Sequence, residues 1–503
     1  MLDQLATHAL ERALPHLDED GAIRRGVREG AFHRQVVYAY AGTYTAAGHA
    51  AIHTGAPPAI SGIVSNEVWD RARGREVPIA DDATHAVLGV EGAFVSPAAL
   101  RVETVADVLE RASEGARRHA LALGEGPRRR LRGRAPPRPR ALLRRAPARV
   151  HDLELLRALD PRVARRVAAR APRRRAPHAV GARGPRAARA RARPGRRAGG
   201  GRLGRARRHV PARSSRELEA LLRRARHARV QRALIALAEE AALRLEVGAD
   251  EVPDLLALSI SSTDYVGHVF GPDSWEYLDN LVRVDRALGA FLERLARARG
   301  PIAVLLTSDH GGAPLPERAE GESGRLVPAL VASELEEALD RALGEGAWVS
   351  AFVQPFVDLS EAARAPEVRE RAVAASVAHL SARREVGLAA DAREAATWRE
   401  DPDPVRRAVG LSVPDDAEGD VFVVPREGFV VDEGMPAGAG TSHGTPWAYD
   451  RTVPVIVWGP GVARVETREP LEQARVASTL AALLGVAPPA PAPREPLPGV
   501  SPR

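Results

Sequence analysis

The chain has 503 residues, 45% of them apolar and none of them cysteine, enough for one large domain with insertions or for two to four average domains. That composition excludes collagen-like and fully disordered classes, disulfide frameworks, thiolate metal sites and cysteine nucleophiles. The formal net charge is +8, and every one of the 73 basic residues is Arg. By count, about 30 of them fall between Arg128 and Arg213, and the rest of the chain is left at about −19. The high isoelectric point therefore describes one segment and does not argue for nucleic-acid binding by the whole. No apolar run reaches the ~18 residues of a membrane-spanning helix, and the N-terminus lacks a basic-then-apolar signal pattern.

Residues 1–125 alternate between helix and strand signals. Leu5 to Leu14 has helical apolar spacing, Val36 to Tyr40 is a short apolar run, Gly55 to Gly62 is a Pro/Gly-rich turn, and Val102 to Ala112 is an amphipathic helix. Residues 126–232 are Arg, Pro, Ala and Gly with no period near 2 or 3.6 over most of their length. Ordinary text returns over 233–312. Asp254 to Ile260 and Ile302 to Thr307 read as buried strands, with a helical stripe of Leu281, Val284, Leu288, Leu292 and Leu295 between them. Residues 313–435 give strand signals only late, at Val421 to Val424 and Phe429 to Val431, and read as a small cap subdomain. Residues 436–486 return to the main domain with a third buried strand, Val453 to Trp458, and the Pro-rich stretch 487–503 reads as a loose end. Strands that are apolar throughout and alternate with amphipathic helices predict an α/β fold with a mostly parallel central sheet covered on both faces.

Chemistry concentrates in three short segments. Ser262-Thr263-Asp264-Tyr265-Val266-Gly267-His268 and Thr307-Ser308-Asp309-His310-Gly311-Gly312 follow apolar strands, and Thr441-Ser442-His443-Gly444-Thr445-Pro446 precedes one. Open α/β sheets build their sites in loops beyond the carboxyl ends of parallel strands. The segments offer two Asp and three His, an oxygen-and-imidazole set that suits Zn²⁺ or a similar divalent ion. Each segment alone reads more readily as a capped turn with a partly buried histidine than as a metal site; the argument for a metal rests on the three together. Upstream lies Thr43-Tyr44-Thr45-Ala46-Ala47-Gly48-His49, followed by His53-Thr54-Gly55 and Gly62 to Asn66. A threonine hydroxyl attacks only when its pKa is lowered, as metal coordination does, and the small residues after Thr45 let backbone approach an anion. Thr45 reads as well as a helix N-cap, and His49 and His53 read as structural.

On these residues the chain resembles the alkaline phosphatase superfamily, in the branch that holds the phosphate-irrepressible alkaline phosphatases and the type I phosphodiesterases/nucleotide pyrophosphatases. The resemblance covers about 1–125 and 233–503 and is carried by TYTAAGHAAIHTGAPPAISGIVSNEVWDR, SSTDYVGHVFGPDS, TSDHGG and SHGTPWAYD. It implies Thr45 as nucleophile, one Zn²⁺ on Asp264, His268 and His443, and a second on Asp309 and His310 together with Thr45 and Asp3. It also implies that Asn66 hydrogen-bonds a nonbridging phosphoryl oxygen. The implied reaction is two-metal hydrolysis of a small phosphate ester through a phosphothreonine, with monoesters ahead of diesters and nucleotide pyrophosphates. The implied protein is a periplasmic or secreted monomer with no membrane or nucleic-acid partner. Sulfate esters fit less well, since the superfamily's sulfatases use a modified Cys or Ser.

Two features depart from the family. The chain begins almost on Asp3, in LDQL, which resembles the end of the family's first strand, so that strand is expected to be missing. The phosphatase branch also carries a Lys-Asp-Arg run that grips phosphate; this sequence has no Lys, and the expected place falls in 126–232. Gly124 to Arg130, Asp152 to Arg157 and His227 to Ala233 can be read in one shifted frame as Arg-Asp-Arg-Gly-Ala, Thr-Ser-Ser-Phe-Tyr-Ala and Thr-Pro-Ala-Ser-Asn-Ala. A frameshift is therefore the leading reading of this block, ahead of a disordered insert and an arginine-rich nucleic-acid arm. Weak or absent turnover is expected of the chain as written. Two competing readings are an inactive product of a damaged gene that keeps its metal ligands, and an Arg-rich binding protein whose motifs are incidental.

Overall fold

The computed structural model describes residues 1–86, 94–113, 119–122, 227–432, 438 and 440–501. The anomalous block 126–232, with its frameshift reading, lies outside the described residues up to 226; from His227 the chain forms the helix His227–Arg244.

The strand Thr452–Trp458 organises the central sheet. Val453, Val455 and Val457 point into one core and Ile456 and Trp458 into another, the two-residue period of a strand buried on both faces. It pairs antiparallel with Ala31–Val37 on one side and with Val304–Leu306 on the other. Ala31–Val37 pairs parallel with Val465–Thr467 and Leu471–Glu472, and Leu255–Leu258 pairs parallel with His119–Ala122. Thr452–Trp458 is thus the antiparallel member of a largely parallel arrangement. Residues 1–3 bridge two strand ends: Leu2 N donates to Thr307 O (2.9 Å) and Asp3 N to Ile260 O (3.1 Å). Leu2 forms an isolated parallel bridge with Ile260, and Ala31–Val37 is the first full strand among the described residues.

Helices cover both faces. Thr7–Ala13, Ala22–Glu29 and Trp275–Arg299 bury Leu10, Ile23, Leu281, Val284, Leu288 and Phe291 on one side. Thr45–Thr54 and Arg475–Leu484 bury Ala47, Ile52, Val476 and Leu483 on the other. Each large aliphatic side chain buried this way contributes roughly 1.5–3 kcal/mol. The stretch from 487 is not loose over its described part. Leu497 is fully buried, its N–H donates to Thr479 Oγ1 (2.9 Å), and Val500 bridges Val462. Apolar residues spaced among the prolines supply the packing that the proline count obscures.

Between the motifs lies a four-stranded antiparallel sheet in the order Val349–Val353, Phe356–Leu359, Val421–Pro425, Val386–Asp391. Helices Pro328–Leu343 and Pro366–Ser381 pack on the face that carries Val357, Leu359, Val421 and Val423. On the other face, Asp358 Oδ1 lies 3.2 Å from Arg71 Nη2, which also reaches Asp420 at 3.0 Å. One guanidinium thus serves two buried carboxylates, and burial lifts the Asp358 carboxyl to about 7 against the pull of Arg71. The folded state holds this proton more tightly than the unfolded chain, whose pKa is about 3.9. Its stabilising protonation is complete below that value and lost as pH rises through 7. Asp358→Asn, which leaves Arg71 paired with Asp420, is expected to stabilise the fold at pH 8 by roughly 1–3 kcal/mol and to converge on the parent near pH 4. Thermal melts across that range check this, and a gap that ignores pH contradicts it.

Candidate active site

All the segments singled out from sequence open at one edge of the central sheet. Ser262–Phe270 is a helix that begins just beyond Leu255–Leu258. Asp264 and His268, four residues apart, share one face of it. Asp309 and His310 follow Val304–Leu306 directly. The antiparallel direction of Thr452–Trp458 brings the loop before it, with His443, to the same edge. Ala31–Val37 leads through residues 38–44 into the helix that starts at Thr45.

The imidazoles are set up as acceptors toward a common centre. His268 Nδ1 lies 2.8 Å from Thr441 O, His310 Nδ1 2.7 Å from Gly311 O, and His443 Nδ1 2.8 Å from Thr43 O. A carbonyl can only accept, so each Nδ1 carries a proton and each Nε2 is left to face the centre, open to a cation or to a second proton. The Nε2 atoms face carboxylates: His268 to Asp264 at 3.1 Å, His443 to Asp264 at 3.7 Å, His310 to Asp3 at 3.4 Å and to Asp309 at 3.8 Å. Two triads, Asp264/His310/His443 and Asp3/Asp309/His310, each gather three ligand-type atoms within 4.8 Å. His310 belongs to both, and its ring stacks on His443 with centroids 3.6 Å apart.

The donor set fits divalent cations. Asp3 Oδ1, Asp264 Oδ1 and Asp309 Oδ2 are buried with no hydrogen-bond partner, an arrangement that costs several kcal/mol per charge when left uncompensated. Burial, with Asp309 and Asp264 adding to it, raises the Asp3 carboxyl well above the carboxylate range. Burial opposes charge on His268, yet Asp264 and the Thr441 carbonyl outweigh it and lift the imidazole to about 9. Burial and the neighbouring His310 and His268 drive His443 far down. Asp3 and His268 are thus the two groups at this centre that favour a proton.

Thr45 opens the helix Thr45–Thr54, whose N-cap is Tyr44, with no side-chain capping bond. The hydroxyl of Thr45 is not spent on a cap: Oγ1 lies 3.3 Å from His310 Nε2. Asn66 Oδ1 accepts from Ala46 N–H at 2.9 Å, which fixes the amide and turns its NH₂ group away from that bond. The small-residue run has a steric reason. A Cβ on Gly48 would lie 2.2 Å from Asp309 O, so glycine lets this helix press against the ligand loop. Gly55, at φ +71°, ends the helix in the left-handed conformation that glycine tolerates best.

The model of the type I phosphodiesterase / nucleotide pyrophosphatase family matches residues 1–445. The chain belongs to that family. Alkaline phosphatase PhoK of Sphingomonas sp. is 26% identical over 266 residues, 50% of this chain and 47% of that protein. Alkaline phosphatase PafA of Elizabethkingia meningoseptica is 24% identical over 258 residues, 50% of this chain and 46% of that one. The chain spans about half the length of these curated relatives in sequence. The crystal structure of PafA matches with a TM-score of 0.75 at 21% identity, covering 100% of this chain and 98% of that one. Murine ectonucleotide pyrophosphatase/phosphodiesterase 5 matches at 0.53 and 15% identity, covering 97% and 94%. The fold is that of the alkaline phosphatase-like α/β proteins.

In this family member two residues beyond the sequence-read set touch the site. Asp450 is fully buried and accepts from Thr445 N–H (3.0 Å) and Thr445 Oγ1 (2.6 Å), which braces the loop carrying His443. Burial lifts its carboxyl to about 7. His49, expected to be structural, contacts Thr45, Asp309 and Ser259. Asp450 ends the SHGTPWAYD segment and its partner Thr445 lies five residues earlier, whereas the Ser259 and Asp309 partners of His49 arrive only through the fold.

Proposed function

We propose that this family member is a metal-dependent phosphoric ester hydrolase that acts on small phosphate monoesters, with Thr45 as nucleophile and two Zn²⁺ ions as cofactors. The reading is carried by the position of the Thr45 hydroxyl, at the first residue of a helix and 3.3 Å from a histidine shared by both ligand triads. Asp264, His268 and His443 would hold one ion, and Asp3, Asp309, His310 and Thr45 the other. When bound, the pair would supply Lewis acidity that lowers the hydroxyl pKa and offsets charge on the phosphoryl oxygens. Thr45 Oγ bonds to phosphorus as the ester oxygen departs. Water then cleaves the phosphothreonine and returns the hydroxyl. The Asn66 NH₂ group, left over from its bond to Ala46, binds a nonbridging oxygen, and the dipole of the ten-residue helix Thr45–Thr54 favours the anion at its amino end.

Purified chain supplied with Zn²⁺ is expected to retain two zinc ions and to hydrolyse p-nitrophenyl phosphate faster than its bis ester. Turnover is expected to be slow, because the family's further phosphate-gripping residues would fall within 126–232. A faster bis ester favours the phosphodiesterase or pyrophosphatase reading, which the family model's description supports. Two bound zinc ions without turnover on either ester would mark an inactive product. A chain with no zinc and tight, salt-sensitive RNA binding overturns the enzymatic reading.

A further inference from the structure

We infer that His49 is a positioning residue for the metal site built on Asp309, with the Thr45 carbonyl setting its tautomer and Ser259 holding its Nε2; the inference rests on the two-metal reading above. His49 lies one turn after Thr45 on the same helix face. Its Nδ1 sits 2.7 Å from the Thr45 carbonyl oxygen and 3.3 Å from Asp309 Oδ2, and its Nε2 sits 3.1 Å from Ser259 Oγ. The Thr45 carbonyl can only accept, so the proton is on Nδ1. Nε2 is then an acceptor, and the buried Ser259 hydroxyl donates to it. One imidazole therefore ties together the nucleophile's helix, the residue that ends the strand Leu255–Leu258, and a proposed metal ligand from a third strand.

The geometry restrains where Asp309 can go. Its Oδ1 accepts from Gln4 N–H (3.3 Å) and from its neighbour His310 N–H (3.2 Å), while Oδ2 makes no hydrogen bond and lies at ion-pair distance, 3.3 Å, from His49 Nδ1. Gly48 holds the helix against the Asp309 backbone, so the imidazole cannot drift off without the helix. A carboxylate held this way enters the metal site already oriented, and outer-sphere partners of this kind are worth about 10–100-fold in metal affinity. If His49 merely fills space between helix and sheet, an apolar side chain of similar size does as well.

The test is a titration of metal-free protein with Co²⁺ against a chelating dye, following stoichiometry and the visible absorption of the bound ion. The parent is expected to bind two ions. His49→Leu is expected to weaken one of the two sites by about 10–100-fold, with an altered Co²⁺ spectrum, and to leave the other within about threefold. His49→Asn, whose amide nitrogen reaches the Nδ1 position, is expected to recover most of the loss. Unchanged binding in His49→Leu, or equal loss in Leu and Asn variants, overturns the inference. If His49→Leu fails to fold, Ser259→Ala decides: it is expected to weaken the same site by about 3–10-fold, and unchanged affinity overturns the inference. A parent chain that binds no Co²⁺ strikes the two-metal reading instead, a separate and visible result.

Discussion

Thr45→Ala is expected to lower hydrolysis by at least about 10⁴-fold while the chain folds and keeps its metal ions. The Thr45 hydroxyl contacts His310 and makes no capping bond, so its removal costs little in helix stability. Ala46 N–H still has Asn66 Oδ1, and alanine is a good helix former at the first position. The change in folding stability is therefore expected to stay within about 1 kcal/mol. The other proposed ligands, Asp3, Asp309 and His310 on one side and Asp264, His268 and His443 on the other, are untouched. Thr45→Ser keeps an oxygen in place and is expected to remain within about tenfold of the parent, since a hydroxyl at the same position can still be activated. Quenched reactions analysed by peptide mass provide the second readout. A phosphoryl group should appear on the Thr45 peptide of the parent and the serine variant and be absent from the alanine variant. Hydrolysis by Thr45→Ala above a hundredth of the parent rate would place the nucleophile elsewhere.

The site's main segments could be read from sequence because they put ligand-type residues next to buried strands. Asp309 and His310 follow an apolar run that can only be an interior strand, and Asp264 and His268 have the four-residue spacing that puts two side chains on one helix face. His443 precedes its strand instead of following it, and only the antiparallel pairing of Thr452–Trp458 explains why it still reaches the same edge. His49 was hidden for a different reason. A histidine on an alanine-rich helix that also carries His53 looks structural, and the partners that change its meaning lie 210 and 260 residues away along the chain. The accessory sheet was half visible. Val421 to Val424 announced itself, while Val349–Val353, Phe356–Leu359 and Val386–Asp391 are short and interrupted by Ser, Asp, Gly and Ala, so their local preference for strand is weak and tertiary pairing decides them.

Removing the metal ions with a chelator is expected to eliminate hydrolysis, to lower the melting temperature by at least about 5 °C, and to be reversed by Zn²⁺. The argument is electrostatic. Asp3 and Asp309 are 2% and 0% exposed, and the Asp264 side chain is 13% exposed. Three carboxylates this close together repel one another, and burial together with Asp309 and Asp264 displaces the Asp3 carboxyl upward. A proton on His268 relieves part of that repulsion, but His443 resists a charge of its own because it is buried and lies beside His310 and His268. Two divalent ions, as proposed, would bring four positive charges against these three carboxylates, and the one left over would suit an alkoxide or a phosphoryl oxygen. A ligand at a thousand times its dissociation constant stabilises the fold by about 4 kcal/mol, so each ion bound this tightly adds a comparable amount. Losing both exposes the uncompensated cluster, and the nearby contacts of Leu2 and Asp3 with the strand ends at Ile260 and Thr307 are the first expected to loosen. Hydrogen exchange that speeds up at residues 1–5 and 307–311 after chelation would locate the effect. If melting temperature and exchange are both indifferent to the chelator, protonated imidazoles alone balance these carboxylates, and the two-cation reading of the site fails.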